Sequence, residues 1–516
     1  MKKTFILKIL LGVSILISSC TKELDALFLD PDGSTETKIE YLFSRALTEQ
    51  GAGMRIGYNP SGYYLVLRTI SPWIQLAGVD GNDSEMMTAS GNAINNSWSS
   101  YYVGFAPKLT EMQIQYGLLP DEEKSNYDIY MNLIKVVRAN ATMKMTDLYG
   151  DIPYSEAFKA REGNNEFFPK YDAQLDIYTS LLADLKEVDT YLSSFSLNGS
   201  IVHNKLAEQD ILNDGDITKW RKFANSLRLR AAMRISDLDN ALASSTVQDI
   251  MSSNAPLALV NADNILVNAE APNGLNIIGG GGGLFGRAIE DSPNLVYAPE
   301  HMLNVMNGSN DPRIPYMWVP NTGGDYIGLP SSPDTQGTLT IDRDNYAYIN
   351  EDLMRNNELL PGFVITAAEV NFLLAEAVME GFISGTAKDY YDAALTESIN
   401  FYYEINALNA SASPVAPDTA DVQAFIDAST ATYDGTKEQL GTQKWIHFGL
   451  FQPREAYASY RRLDAPTLPV NIAAGTTLVV PVRITIADND KVVNEENYNA
   501  VKAQDTPNTK VSWDKN

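Results

Sequence analysis

Apolar residues return every three or four positions along most of this chain, and that period commits it to packed helices rather than sheets. Ile134, Val137, Ala141, Met145 and Leu148 share one face of a helix expected over about 124–149. Leu175, Tyr178, Leu182 and Leu185 do the same over 171–193, and Trp220, Phe223, Leu227 and Ala231 mark a third helix, with Thr218 as its expected N-cap. Val370, Leu373, Leu374 and Ala377 define a further face, and Tyr391, Leu395, Ile399 and Tyr402 another. Between those two helices lies the link Gly381-Phe382-Ile383-Ser384-Gly385. So short a connection, with a glycine at each end, returns one helix antiparallel against the other, which is the unit of a tetratricopeptide-like array. No repeat signature recurs at a fixed period, so the pattern predicts an all-α core of helix pairs and only suggests a true repeat.

Two stretches break the pattern. Residues 255–362 carry Gly279 to Gly283, Asp311-Pro312-Arg313, Gly323-Gly324 and Pro330, with one helix expected near 298–307. They read as a loop-rich lobe with short strands. Residues 465–516 are also irregular, with a strand pair expected around 477–486. Structured loops on a rigid scaffold are where binding usually sits. At 516 residues the chain is larger than one growing core, so several layers or an extended helical array are expected.

The N-terminus points to export. Lys2 and Lys3 precede an apolar run from Ile9 to Ile17, far shorter than the roughly 20 residues that span a bilayer. It reads as a signal peptide over 1–19. Ile17-Ser18-Ser19-Cys20 follows and resembles the bacterial lipobox, whose cysteine is lipidated and becomes the mature N-terminus. Cys20 is the sole cysteine, so no intrachain disulfide can form. Residues 20–36 are acidic with a Pro-Asp-Gly turn and read as a lipidated tether to a domain over 37–516. The formal charge is -26, and cleavage after residue 19 removes three lysines and no acid. Such a surface repels nucleic acid and anionic lipid.

No catalytic constellation emerges. Asp147, Asp151 and Glu156 sit at a helix end and in the Gly150-Asp151-Ile152-Pro153 turn, where carboxylates act as caps and turn formers more simply than as a glycosidase pair. His203, His301 and His447 lack ligand spacing, and no Gly-x-Ser-x-Gly elbow is present. Gly279–Gly283 and Gly286 lack the Gly-Lys-Ser/Thr of a phosphate loop and read as a flexible loop near a ligand. Asp80-Gly-Asn-Asp-Ser-Glu85 offers hard oxygens without EF-hand spacing, so no metal or cofactor is expected. Arg221, Arg228, Arg230 and Arg234 lie along one helix and are expected to pair with carboxylates of neighbouring helices.

The aromatics remain. A flat ring stacks on the C–H face of a sugar while Asn, Asp and Arg bond its hydroxyls. One candidate group is Trp73, Asn82, Asp83, Trp98, Tyr101 and Tyr102. The lobe adds Arg287, Tyr297, Tyr316, Trp318 and Tyr326, of which Trp318 and Tyr326 occupy a Gly/Pro-rich stretch that cannot all be buried. Trp98 and Tyr102, four apart, could instead pack on each other.

An ordered set of blocks resembles the SusD/RagB family of outer-membrane nutrient-binding lipoproteins, most closely its SusD-like branch. They run from Ala141 to Ala157 (ATMKMTDLYGDIPYSEA), Trp220 to Ile235, Asn310-Asp-Pro-Arg-Ile-Pro315, Ala368 to Ala377, Thr442-Gln-Lys-Trp445 and Tyr460-Arg-Arg462, behind the lipobox. Tyr457 stands where that family more often has tryptophan, and Pro453 interrupts the helix before it. The resemblance implies a tetratricopeptide-like core with a loop-rich lobe, and a non-catalytic lipoprotein that faces the cell exterior. It also implies a SusC-like TonB-dependent transporter barrel as partner and glycans, or less often peptides, as cargo. A surface glycosidase is the least favoured reading, and a lid without its own ligand a further one. Replacing Cys20 by Ser should release the protein from the membrane fraction in a fractionation experiment; unchanged membrane association would remove the lipid anchor from this account.

Overall fold

The computed structural model describes residues 38–54, 65–78, 89–160, 167–269, 286–290, 296–330, 339–428, 431–469 and 480–515. The signal peptide, Cys20 and its tether, the Asp80–Glu85 loop with Asn82 and Asp83, and Gly279–Gly283 lie outside them.

Helices dominate the described residues. In the first half, α1 (Ile39–Thr48) packs on α3 (Ala106–Leu118), which a π-helical segment, Ser100–Phe105, joins to α2 (Gly91–Ser99). There follow α4 (Asp121–Tyr149), α5 (Gln174–Ser194), α6 (Ile201–Gln209), α7 (Ile217–Arg234) and α8 (Asn240–Ser252), with α5 packed against both α4 and α7, and α7 against α8. The second half holds α9 (Glu300–Ser309), α10 (Ala367–Met379), α11 (Ala387–Ala407), α12 (Thr419–Asp427), α13 (Lys437–Phe448) and α14 (Pro453–Leu463). There α10 lies on α11 and α13 on α14, while α7 meets α10 and α4 meets α14 to join the halves. Short helical turns at Ser71–Trp73, Ile314–Met317, Asp488–Val493 and Glu495–Val501 lie between or after these, together with three antiparallel two-stranded ribbons: Ile152–Pro153 with Tyr171–Asp172, Ile265–Val267 with Gly362–Ile365, and Trp318–Val319 with Tyr348–Ile349.

The expected helices are present, and local chemistry sets their ends. Helix α4 starts at Asp121, where Pro120 precedes a first turn of Asp121, Glu122 and Glu123 whose charge favours the free N–H groups. The link between α10 and α11 turns through Gly381 at φ 72° and Gly385 at φ 147°, which side-chain-bearing residues resist. The N-cap of α7 is Asp216 rather than Thr218, because the Asp216 carboxylate accepts from the N–H groups of Thr218 at 2.8 Å and Lys219 at 3.1 Å. Of the strand pair expected at 477–486, residues 477–479 lie outside the described residues, and 480–486 forms no strand. Alternate N–H groups there, which in a ribbon would serve one neighbouring strand, go instead to scattered partners, Val482 to Pro507 O, Ile484 to Leu148 O and Ile486 to Asp505 Oδ1.

Buried charge ties the layers together. Arg230 of α7 grips Glu369 of α10 through Nε at 2.5 Å and Nη2 at 2.6 Å, with both side chains about 2% exposed. Arg234, one turn on, reaches Glu455 of α14 at 2.6 Å and Asp147 of α4 at 3.3 Å. The outer arginines of the same helix pair as expected, Arg221 with Asp189 and Arg228 with Asp249. A second knot joins Arg462 and Lys444 to Glu376.

Burial alone would raise the Glu376 carboxyl, but Arg462 and Lys444 overcome it and hold its pKa at about 2. A carboxylate so depressed stabilises the fold above the unfolded value near 4.5 and loses that contribution as pH falls toward 2. Glu376→Gln should therefore cost roughly 3–5 kcal/mol at pH 7 in urea unfolding, with the gap from wild type narrowing between pH 4.5 and 2. A gap independent of pH would contradict this role.

Candidate binding site

The lobe is stitched by short backbone contacts between distant segments. Gly78 bridges Tyr297, Tyr297 bridges Tyr348, and Pro299 bridges Leu329. A Cβ at Gly78 would come within 2.9 Å of Leu329 Cβ and 3.0 Å of Ala298 O, so glycine is needed for this close approach. The rings of Tyr297 and Tyr348 meet edge to face at 5.2 Å, and the Arg343 guanidinium lies 4.5 Å over Tyr348.

Most of the candidate aromatics are spent in the core. Trp73 is 1% exposed and packs on Tyr457 at 5.5 Å. Trp98 is 6% exposed, with Tyr102 at 4.6 Å and Tyr149 at 5.1 Å, so Trp98 and Tyr102 do pack on each other. Tyr101 is buried with its hydroxyl 2.8 Å from Thr142 Oγ1. Trp318 corrects the expectation of an exposed ring. Pairing of its strand with Tyr348–Ile349 turns the indole inward, 2% exposed, among Leu76, Tyr402 and Phe451. Tyr326 is half-buried at the lobe surface beside exposed Thr322 to Asp325, and Arg287 is exposed.

Tyr316 is different: it borders an open cleft of about 810 Å³. That volume falls within the range that encloses small ligands. One wall grows from the Asn310-Asp-Pro-Arg turn. Asn310 ends α9 at φ 52°, and Asp311 then pairs in a bidentate, fully buried fork with Arg313, at 2.5 Å and 2.9 Å. Arg313 also donates to Ser398 Oγ at 3.1 Å and Gln443 Oε1 at 2.6 Å, which fixes the turn to α11 and α13. The facing wall is the 408–418 segment leading into α12. The Tyr316 hydroxyl donates to Val415 O at 2.5 Å across the cleft, and Asn409 Nδ2 donates to Asp352 O at 3.0 Å.

Sequence reasoning found Tyr316 but missed the rest of this lining. Tyr316 is 6% exposed, so it gives an edge rather than a stacking platform. Pro312, Pro315, Pro414 and Pro417 supply flat apolar faces, and Asn310, Asn350, Ser411 and Ser413 supply hydroxyl-bonding groups. Asn406 of α11 also faces the cleft; it is 4% exposed and its side-chain amide makes no hydrogen bond within the described residues. Asp352, Asp418 and Asp421 are the charged residues of the lining, and no Lys, Arg or His joins them. Asp147 is buried, 3% exposed. Burial raises its carboxyl, which Tyr178 and Trp513 cap with hydrogen bonds of 2.6 Å and 2.8 Å. Asp151 accepts from the Gln174 N–H, as a cap does. Among the described residues no three ligating side chains converge to hold a metal, and no helix is long and apolar enough to cross a membrane.

A family of sequences described as SusD-like, starch-binding and associating with the outer membrane matches residues 75–486, most of the chain. The chain belongs to the SusD-like family. At that level it is a carbohydrate-binding, outer-membrane-associated protein and not an enzyme. No curated protein matches it in sequence. Solved SusD-like structures share its fold. A chitin-binding protein superposes with a TM-score of 0.74 at 24% identity, covering 92% of this chain and 100% of its own. A SusD homologue from Parabacteroides distasonis gives 0.72 at 19% identity over 93% of this chain and 98% of its own. One from Bacteroides fragilis gives 0.71 at 20% identity over 92% and 99%. The tetratricopeptide-like, all-α architecture implied by the SusD/RagB resemblance is thus the one observed, and α14 begins at the Pro453 that departs from the family pattern.

Tyr316→Phe removes the bond across the cleft at a cost of about 1 kcal/mol. Amide hydrogen exchange in 409–418 should quicken several-fold while α11 and α13 stay protected. Unchanged exchange would mean that the prolines alone hold the wall.

Proposed function

We propose that this SusD-like protein captures glycan chains outside the cell, using the cleft between Tyr316 and Asn406 as a sugar site. It then passes them to a SusC-like TonB-dependent transporter barrel, while lipidated Cys20 holds it on the outer membrane. The observation that carries the reading is the lining itself. A buried amide with no internal partner must bond water or ligand, and here it faces proline surfaces and hydroxyl-bonding side chains. That pairing of apolar faces with neutral donors and acceptors is what a sugar ring asks for.

Charge narrows the cargo. Three aspartates without a cation repel uronic or sulfated chains and admit neutral or amino sugars. The chitin-binding fold neighbour fits that class, since chitin is a neutral polymer of acetylated amino sugars. The same carboxylates would also accept the ammonium of a peptide, which keeps peptide capture as the second reading.

Native affinity electrophoresis of residues 21–516 in gels containing neutral, amino or acidic polysaccharides tests this, with the same mixtures assayed for new reducing ends. A neutral or amino polysaccharide should retard the protein without producing ends. Asn406→Ala, which breaks no internal hydrogen bond, should weaken the retardation about tenfold, the worth of a ~1.4 kcal/mol contact. Retardation by acidic chains alone, or an Asn406→Ala variant that binds as wild type, would overturn the assignment of this cleft.

A further inference from the structure

A second space lies under the N-terminus of α14, between it and the buried half of α4. It is a cavity of about 40 Å³ bordered by Gln50, Gly53, Lys144, Gln452, Arg454 and Glu455, enough for a few waters or one small ion. Its polar lining is unbalanced. Gln452 is 5% exposed, and its Nε2 is buried with no hydrogen-bond partner. Arg454 forms no ion pair among the described residues and makes one long contact, 3.4 Å to Ser97 Oγ. Lys144, 6% exposed, donates to Gly53 O and has two further ammonium protons to place. The first turn of α14 has no side-chain cap, so its free N–H groups add the positive end of the helix to the same space. One carboxylate, Glu455, borders the cavity, and it is already bound to Arg234 at 2.6 Å and Arg230 at 3.5 Å.

We propose that this cavity is a binding site for a small inorganic anion of the halide class, held by Gln452 Nε2, Arg454 and Lys144 at the α14 N-terminus. Water would satisfy the donors but would give Lys144 and Arg454 no ion-pair partner of their own; an anion would serve both. The site is separate from the proposed sugar cleft and does not rest on that reading. It would brace the junction where α4, the 50–53 turn and α14 meet. Titration of Lys144 supports it. Burial pulls that ammonium down to about 7, with Arg230 and Arg454 adding to the fall and Glu455 and Glu369 opposing it. Anion affinity should therefore decline as pH rises through 7, when the lysine loses its charge.

Crystals of residues 21–516 grown in sodium bromide give the direct test by anomalous scattering. A bromide peak within about 3.5 Å of Gln452 Nε2 and the Arg454 guanidinium is expected. In solution, sodium chloride should raise Tm saturably over sodium gluconate of equal ionic strength, by about 2 °C. Arg454→Gln should abolish that difference while leaving glycan retardation intact. An anomalous map empty at the cavity, with equal Tm in chloride and gluconate, would assign the space to water and overturn the proposal. The diffraction arm uses the wild-type protein, so it decides the matter even if Arg454→Gln folds poorly.

Discussion

A charge removed from water must be met by an opposite charge with good geometry, and this requirement fixes the centre of the molecule. Arg230 and Arg234, one turn apart on α7, bring Glu369 of α10, Glu455 of α14 and Asp147 of α4 to a single point. Apolar packing alone would let helices slide by a residue with modest loss. A bidentate guanidinium does not allow it, since a slip leaves a buried carboxylate unpaired. The helix pairs of the two halves are thereby locked in register, and the lobe inherits a fixed base.

The cleft repeats the device on a smaller scale. Asp311 and Arg313, fully buried, turn a loop into a rigid wall and fasten it to α11 and α13 through Ser398 and Gln443. The facing wall is held by single hydrogen bonds from Tyr316 and Asn409. One side is thus fixed by charge and the other by neutral contacts, which leaves the second wall freer to move.

The helical core was legible because its information is periodic and local. The faces of α4, α5, α7, α10 and α11 could be read from residue spacing, and the Arg230 and Arg234 pairings followed from basic residues set along a largely buried helix in an acidic chain. The candidate site was less legible because its cleft is assembled from 309–316, 350–352 and 406–428, segments that no local pattern connects. Aromatic residues were a poor guide to exposed surface. A Trp or Tyr buries more apolar surface than almost any other side chain, and Trp73, Trp98, Tyr101 and Trp318 serve the core for that reason. The prolines of 408–418 and the Asn-Asp-Pro-Arg turn were the better clue, since rigid backbone beside a buried fork marks a preformed wall. The failure of the 480–486 strand has a similar origin: its β-branched residues answer to partners on α4 and near the C-terminus, far away in sequence.

The central claim is that a neutral or amino sugar occupies the cleft between Tyr316 and Asn406. A crystal structure of residues 21–516 with the oligosaccharide unit of whichever polysaccharide retards it tests this most directly. The account predicts density for a ring against the proline faces, with a ring hydroxyl or acetamido group within hydrogen-bond distance of the Asn406 amide. Density elsewhere in the lobe, with this cleft holding solvent alone, would contradict it.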